Sequence, residues 1–181
     1  MKKKLFGTFL AAVLVVASAV STFAAPSKTA QATPAGESEG KYEAAEITQE
    51  SFQELAQSKP EVVEKILAVN AGTETLESIG EQTPEIAAQL EGKSLLTKVF
   101  DLTPVDGGVK NADGKYVVTL SVPALSDAAS DVLVLHYSTV RNVWEVITPS
   151  NVDVPNKQIT AEFEDLSPVA VIAKADAAAA V

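Results

Sequence analysis

The sequence contains no cysteine, one methionine, one tryptophan and one histidine. Without cysteine there is no disulfide, no thiolate metal site and no cysteine nucleophile. A cysteine-linked N-terminal lipid is excluded for the same reason. One histidine with no cysteine also excludes a histidine-rich zinc site. Basic residues are scarce: 14 Lys and Arg stand against 24 Asp and Glu, a formal net charge of −10. Such a chain is repelled by nucleic acid and by anionic lipid, so DNA and RNA are excluded as partners. Long apolar runs are also scarce. One lies near the N-terminus, and the Ala-rich stretch 173–181 is far too short to cross a bilayer.

That single run has the order of a secretory signal peptide. Lys2, Lys3 and Lys4 precede an apolar stretch over 5–16, and small residues then lead to Thr22-Phe23-Ala24. Cleavage between Ala24 and Ala25 puts small residues at the −3 and −1 positions. Cleavage one residue later would put Phe23 and Pro26 in awkward places. An uncleaved anchor is the alternative reading, since 5–24 could just span a bilayer. Loss of the three signal lysines takes the net charge from −10 to about −13. The expected location is extracellular, either released or loosely wall-associated, with no membrane contact once the signal is removed.

Residues 25–46 are rich in Ala, Pro, Ser, Gly, Thr and Glu and read as a disordered linker. Residues 47–92 read as short helices. Pro60-Glu61 and Pro84-Glu85 each follow a polar residue and precede an apolar run, which is a helix-start pattern. Gly72, Gly80 and Gly92 mark helix ends. Two such starts 24 residues apart could be a decayed repeat or merely a good start signal used twice.

From residue 93 the pattern turns to strand alternation, with predicted strands over 95–103, 115–122, 131–139, 143–148, 158–163 and 168–174. Tyr116, Val118, Leu120 and Val122 share one face, and the 131–139 run is apolar on both faces, as in a central strand. Turn signals lie at Asn111-Ala112-Asp113-Gly114 and Arg141-Asn142. Crossover helices for a parallel sheet have no room. The pattern predicts an α+β fold: short N-terminal helices followed by a small antiparallel Ig-like β-sandwich of six to seven strands over 93–175, then a flexible tail over 176–181.

Candidate chemistry is sparse. His136 lies within a strand, and no nucleophile elbow accompanies it, so a structural histidine is expected. The loop 106–115 fails as a calcium loop, because placing Gly114 sixth puts Val109 first and Leu120 twelfth, where carboxylates are required. Asp131, Glu145, Asp153, Glu162, Glu164 and Asp165 could supply a carboxylate pair for glycoside hydrolysis. Glu162 and Glu164, however, alternate with Ala161 and Phe163 as a solvated face does. Trp144 and Tyr137, with Tyr116, form either a sugar-stacking platform or core plugs. Trp144, Tyr137 and His136 are the weak candidates for ligand contact. No catalytic residue, metal ligand or cofactor is predicted.

Four segments carry a resemblance. They are Tyr116-Val117-Val118-Thr119-Leu120-Ser121-Val122-Pro123, Val134-Leu135-His136-Tyr137, Trp144-Glu145-Val146, and Phe163-Glu164-Asp165-Leu166-Ser167-Pro168-Val169-Ala170-Val171. Together they resemble a C-terminal domain of uncharacterised secreted and surface proteins of clostridia-type Gram-positive bacteria. The resemblance implies a small β-sandwich on an exported protein and brings no catalytic residues. The last segment also resembles the final strand of ZU5 and GPS-type domains, some of which cleave themselves at a His-[Leu/Phe]-[Ser/Thr] site. Asp165-Leu166-Ser167 stands at that place, so the general base is missing. The function expected is a secreted, non-enzymatic protein whose sandwich binds an extracellular protein or glycan, or is structural. A carbohydrate- or wall-binding module and a carboxylate-pair hydrolase are the alternatives.

Overall fold

The computed structural model describes residues 31–81 and 83–175. The predicted signal segment 1–24, its Ala24/Ala25 junction and the tail 176–181 lie outside the described residues. The described chain begins with strands β1 (Thr33–Pro34) and β2 (Tyr42–Glu46). Three helices follow: α1 (Gln53–Ser58), α2 (Pro60–Ala71) and α3 (Pro84–Leu90). Then come β3 (Ser94–Leu95), β4 (Phe100–Pro104), β5 (Tyr116–Ser121), β6 (Ala129–Ser138), β7 (Val143–Ile147), β8 (Asn151–Asp153), β9 (Gln158–Phe163) and β10 (Val169–Ala175). One sheet runs β1-β5-β9-β8. The other runs β2-β4-β10-β6-β7, with β3 also paired to β10. The fold is α+β, with helices and antiparallel sheets, mostly strands, in a sandwich-like arrangement.

Alternation explains the inner core. In β5 and β9 the register sets Val118 beside Ala161 and Leu120 beside Ile159, and all four are fully buried. They pack with Phe163 against Phe100, Leu102, Val134, Val169 and Val171 of the larger sheet. Each large apolar side chain removed from water in this way contributes about 1.5–3 kcal/mol before the entropy of ordering is counted. The central strand β6 is apolar on both faces because both are covered. Val134 faces the second sheet, and Leu135 faces the helices.

The helices form a third layer on the outer face of the larger sheet. Pro60 opens α2 with Glu61 in its first turn, and Gly72 closes it at φ 74°. Ile66 and Val69 of α2 and Ile86 and Leu90 of α3 pack with Leu135, Ala170 and Ile172. Asn70 ties this layer to the β3–β4 link: its side-chain amide donates to the Val99 carbonyl at 2.8 Å, and its oxygen accepts from the Val99 N–H at 2.7 Å. Gly80 permits the close approach of α3, since a Cβ there would lie 2.6 Å from the Ala87 nitrogen.

The structure corrects three expectations. First, 31–46 is part of the sandwich and not a disordered linker. β2 pairs with β4 from Tyr42 opposite Pro104 to Glu46 opposite Phe100, and β1 pairs with β5. Low apolar content misled because backbone hydrogen bonding to existing strands stands in for a large apolar face. Ala32, Ala35 and Tyr42 are the buried apolar residues there, and the buried Ser38 is satisfied because its Oγ accepts from the Thr119 N–H at 2.9 Å. Second, the helices are inserted between β2 and β3 and do not precede the sandwich, so its strands are not confined to 93–175. Third, the predicted strand 95–103 is broken into β3 and β4. Leu96 and Thr97 both donate backbone N–H groups to the Val171 carbonyl, and Thr97 Oγ1 accepts from the Val171 N–H, which bends the chain between the two strands. Sequence alternation also passed over the short strand β8.

Candidate functional site

The β6–β7 hairpin positions the three candidate residues. Its register pairs Tyr137 with Trp144 and His136 with Glu145. Neighbours in a strand point to opposite faces, so the hairpin separates the candidates. Tyr137 and Trp144 come together on the helical side, while His136 lies between the sheets.

On the helical side the two rings meet edge to face, with centroids 5.1 Å apart and planes at 61°. A cross-strand aromatic pair of this kind adds about 0.5–1.5 kcal/mol beyond area burial. Tyr137 is 2% exposed, and Trp144 is half-buried, packed against both helical clusters. Tyr137 thus sits in the core, while Trp144 packs on the helices with part of its indole left exposed. Together they wall a cleft of about 160 Å³ between α2 and the hairpin. Lys59, at the corner between α1 and α2, and Asn142, in the hairpin loop, stand on its sides with Glu61 and Thr83. The Tyr137 hydroxyl makes no hydrogen bond to a described residue. Burial first, and the Glu61 carboxylate second, push its pKa above the ordinary tyrosine value. Lys65 also lines the cleft, but its ammonium is engaged at 2.6 Å with both the Ser78 carbonyl and Glu81.

On the other face His136 is fully buried, and its Nδ1 lies 2.7 Å from Glu145 Oε1. Arg141 Nη2 donates to the second Glu145 oxygen at 2.7 Å. Ser138 Oγ donates to the Asp165 carboxylate at 3.0 Å and accepts from the Arg141 backbone N–H at 3.1 Å. His136, Glu145 and Asp165 each offer a ligand atom within 4.8 Å of the others. The Arg141 guanidinium, however, already supplies positive charge to Glu145, and it also lies 3.7 Å from Asp165. His136 Nε2 is buried without a hydrogen-bond partner among the described residues. A proton on Nδ1 donated to Glu145 leaves Nε2 only as an unpaired acceptor. A metal on Nδ1 would force an unpaired N–H there and displace the guanidinium, so the geometry suits a structural polar cluster better than a metal centre. Among the described residues Ser138 makes no hydrogen bond to His136, so no nucleophile–base pair is assembled.

The remaining carboxylates are dispersed. Glu162 and Glu164 are exposed, and Glu162 accepts a hydrogen bond from Asn111 at 3.1 Å. Asp153 accepts two bonds from Asn156, which hold its carboxyl below the usual range, and Asp131 pairs with the buried Lys93. The 106–115 loop is a turn: Asn111 Oδ1 accepts from the Asp113 and Lys115 N–H groups. Lys59, Glu61, Asn142 and Thr83 were not singled out from sequence as site residues. Asn142 and Lys59 were legible only as a turn and a helix flank, because what places them together is the docking of α2 on the hairpin. Compared with known proteins, the chain matches no family model, no curated protein and no solved structure.

Proposed function

We propose that this chain is an exported, non-enzymatic binding protein of a Gram-positive bacterial exterior. The Ig-like reading of its sandwich supplies the scaffold, and the Trp144 cleft is the contact site. The observation that carries this reading is the cleft itself, which sets a half-buried indole and a tyrosine of the β6–β7 hairpin beside Lys59 and Glu61 at the start of α2. Absence of enzymatic activity is supported by the way the reactive groups are occupied. His136 is engaged by Glu145, Ser138 by Asp165, and the close carboxylates Glu145 and Asp165 share Arg141. The signal-like segment 1–24 supports export, and the resemblance to clostridial surface domains agrees with it.

The test is fractionation of a Gram-positive culture expressing the full chain, alongside its Trp144→Ala variant. A mass beginning at Ala25, held on washed walls or on a co-purifying surface protein through Trp144, supports the reading. A mass retaining Met1 in the membrane overturns export. Retention that is unchanged by Trp144→Ala, or absent from every wall and surface fraction, overturns the contact site.

A further inference from the structure

We propose that the cleft beside Trp144 receives one neutral pyranose ring, a terminal or branching residue of an extracellular glycan. The inference rests on the binding reading above and names its ligand. Three observations point to it. Size is the first: at about 160 Å³ the cleft is on the scale of a single sugar ring, and its open side leaves the rest of a glycan in solvent.

The second is the lining. A pyranose has a C–H face that stacks on an aromatic ring and a rim of hydroxyls that both donate and accept. Trp144 offers a half-buried indole, and the Tyr137 hydroxyl lies at its side with no hydrogen-bond partner among the described residues. The Tyr137 ring is buried but its hydroxyl still reaches solvent, so a ligand hydroxyl can take the place of water there. Lys59 likewise has no acid partner among the described residues. It and Asn142 can donate, and Glu61 can accept.

The third is charge. The cleft balances Lys59 against Glu61, and Lys65 is taken by Glu81 and the Ser78 carbonyl. A uronate would meet Glu61 and the field of an acidic chain, and an amino sugar would meet Lys59. A neutral ring meets neither penalty.

Trp144 is the only tryptophan, so its fluorescence reports on the cleft alone. The chain beginning at Ala25 would be titrated with neutral methyl pyranosides, a methyl uronoside and a hexosamine, read by indole emission and by saturation-transfer NMR. At least one neutral pyranoside should bind saturably, with Kd on the order of millimolar for so small a ligand. The uronoside and the hexosamine should bind more weakly. Tyr137→Phe, which keeps the ring and removes the hydroxyl, should weaken binding by about tenfold with an unchanged circular-dichroism spectrum. Lys59→Ala, at an exterior corner, provides a second variant that should fold and bind less well. If no neutral pyranoside binds, or if binding is indifferent to both Tyr137→Phe and Lys59→Ala, the inference fails. Should wall or surface-protein retention still depend on Trp144 in that case, the binding reading survives with a different ligand. If that dependence is also absent, both fall.

Discussion

Residues on the two faces of the larger sheet are drawn from the same strands, and yet the faces differ in what covers them. The inner face meets another sheet. Phe163, Ile159, Val134 and Val169 interlock there at full burial. The outer face meets short helices, which cover Leu135, Ala170, Ile172 and the Tyr137 ring but leave a cleft beside the half-buried Trp144. A sheet matches another sheet strand for strand, whereas a six- or twelve-residue helix covers only the patch beneath it. Strand alternation therefore decides which side chains face outward, and the length and placement of the helices decide where a concave site opens.

Substitutions can break this comparison. Phe163→Ala empties the inner face at a fully buried position and should cost about 3–5 kcal/mol, read as a fall in the denaturant midpoint of the whole molecule. A loss below about 1 kcal/mol would mean the inner face is not the better packed of the two. On the outer face, Gly80→Ala drives a Cβ into the Ala87 backbone and should cost about 1–3 kcal/mol. Its distinguishing signature is local: amide exchange should rise across 53–90 while β5 and β9 stay protected, and Trp144 emission should shift to the red. Uniform exchange changes would instead show that the helical layer and the sandwich open as one unit.

A smaller effect is expected at the rim that joins β2 to the 106–115 loop. Tyr42 donates its hydroxyl to the Val109 carbonyl at 2.6 Å and accepts from the Val109 N–H at 2.9 Å. Burial raises its pKa, and the bond accepted from the Val109 N–H, which favours the phenolate, opposes that rise. Tyr42→Phe should therefore cost about 1 kcal/mol, measured by urea unfolding. A neutral result would mean that water replaces both bonds. The smallest effect is pH-dependent. The hydrogen bond from Lys93 holds the Asp131 carboxyl below its usual range, with burial opposing and the charges of Lys93 and Lys174 assisting. A carboxylate depressed in the folded state adds stability above its unfolded pKa and loses it as pH falls through the folded value. That window lies from about pH 4 downward. Asp131→Asn should flatten the acid limb of the stability profile there and lower stability at neutral pH. An unchanged acid limb would place the acid sensitivity elsewhere.

Much of the framework was legible in the sequence. The Pro60-Glu61 and Pro84-Glu85 starts and the Gly72 stop stand where α2 and α3 begin and α2 ends, because caps and proline act within one turn of chain. Strict alternation placed 158–163 on β9 for a similar reason, since side-chain direction in a strand has a period of two. The 31–46 segment was illegible because its order comes from strands more than fifty residues away, β4 and β5, and not from its own composition.

The candidate site divides along the same line. That Tyr137 and His136 point to opposite faces, and that Trp144 and Val146 share one, follows from backbone geometry and was already in the sequence. A two-residue turn at Arg141-Asn142 would have set Tyr137 opposite Val146. The four-residue loop 139–142, closed by Ser138 Oγ accepting from the Arg141 N–H, sets it opposite Trp144. The cleft needs a further step, the docking of α2 with Lys59 and Glu61 beside that pair. The sequence alone determined helix starts, strand faces, charge and the absence of thiol chemistry, because each depends on neighbours along the chain. Tertiary structure alone decided the order of 31–46, the aromatic pair and the cleft, because each depends on which distant surfaces are free to pack together.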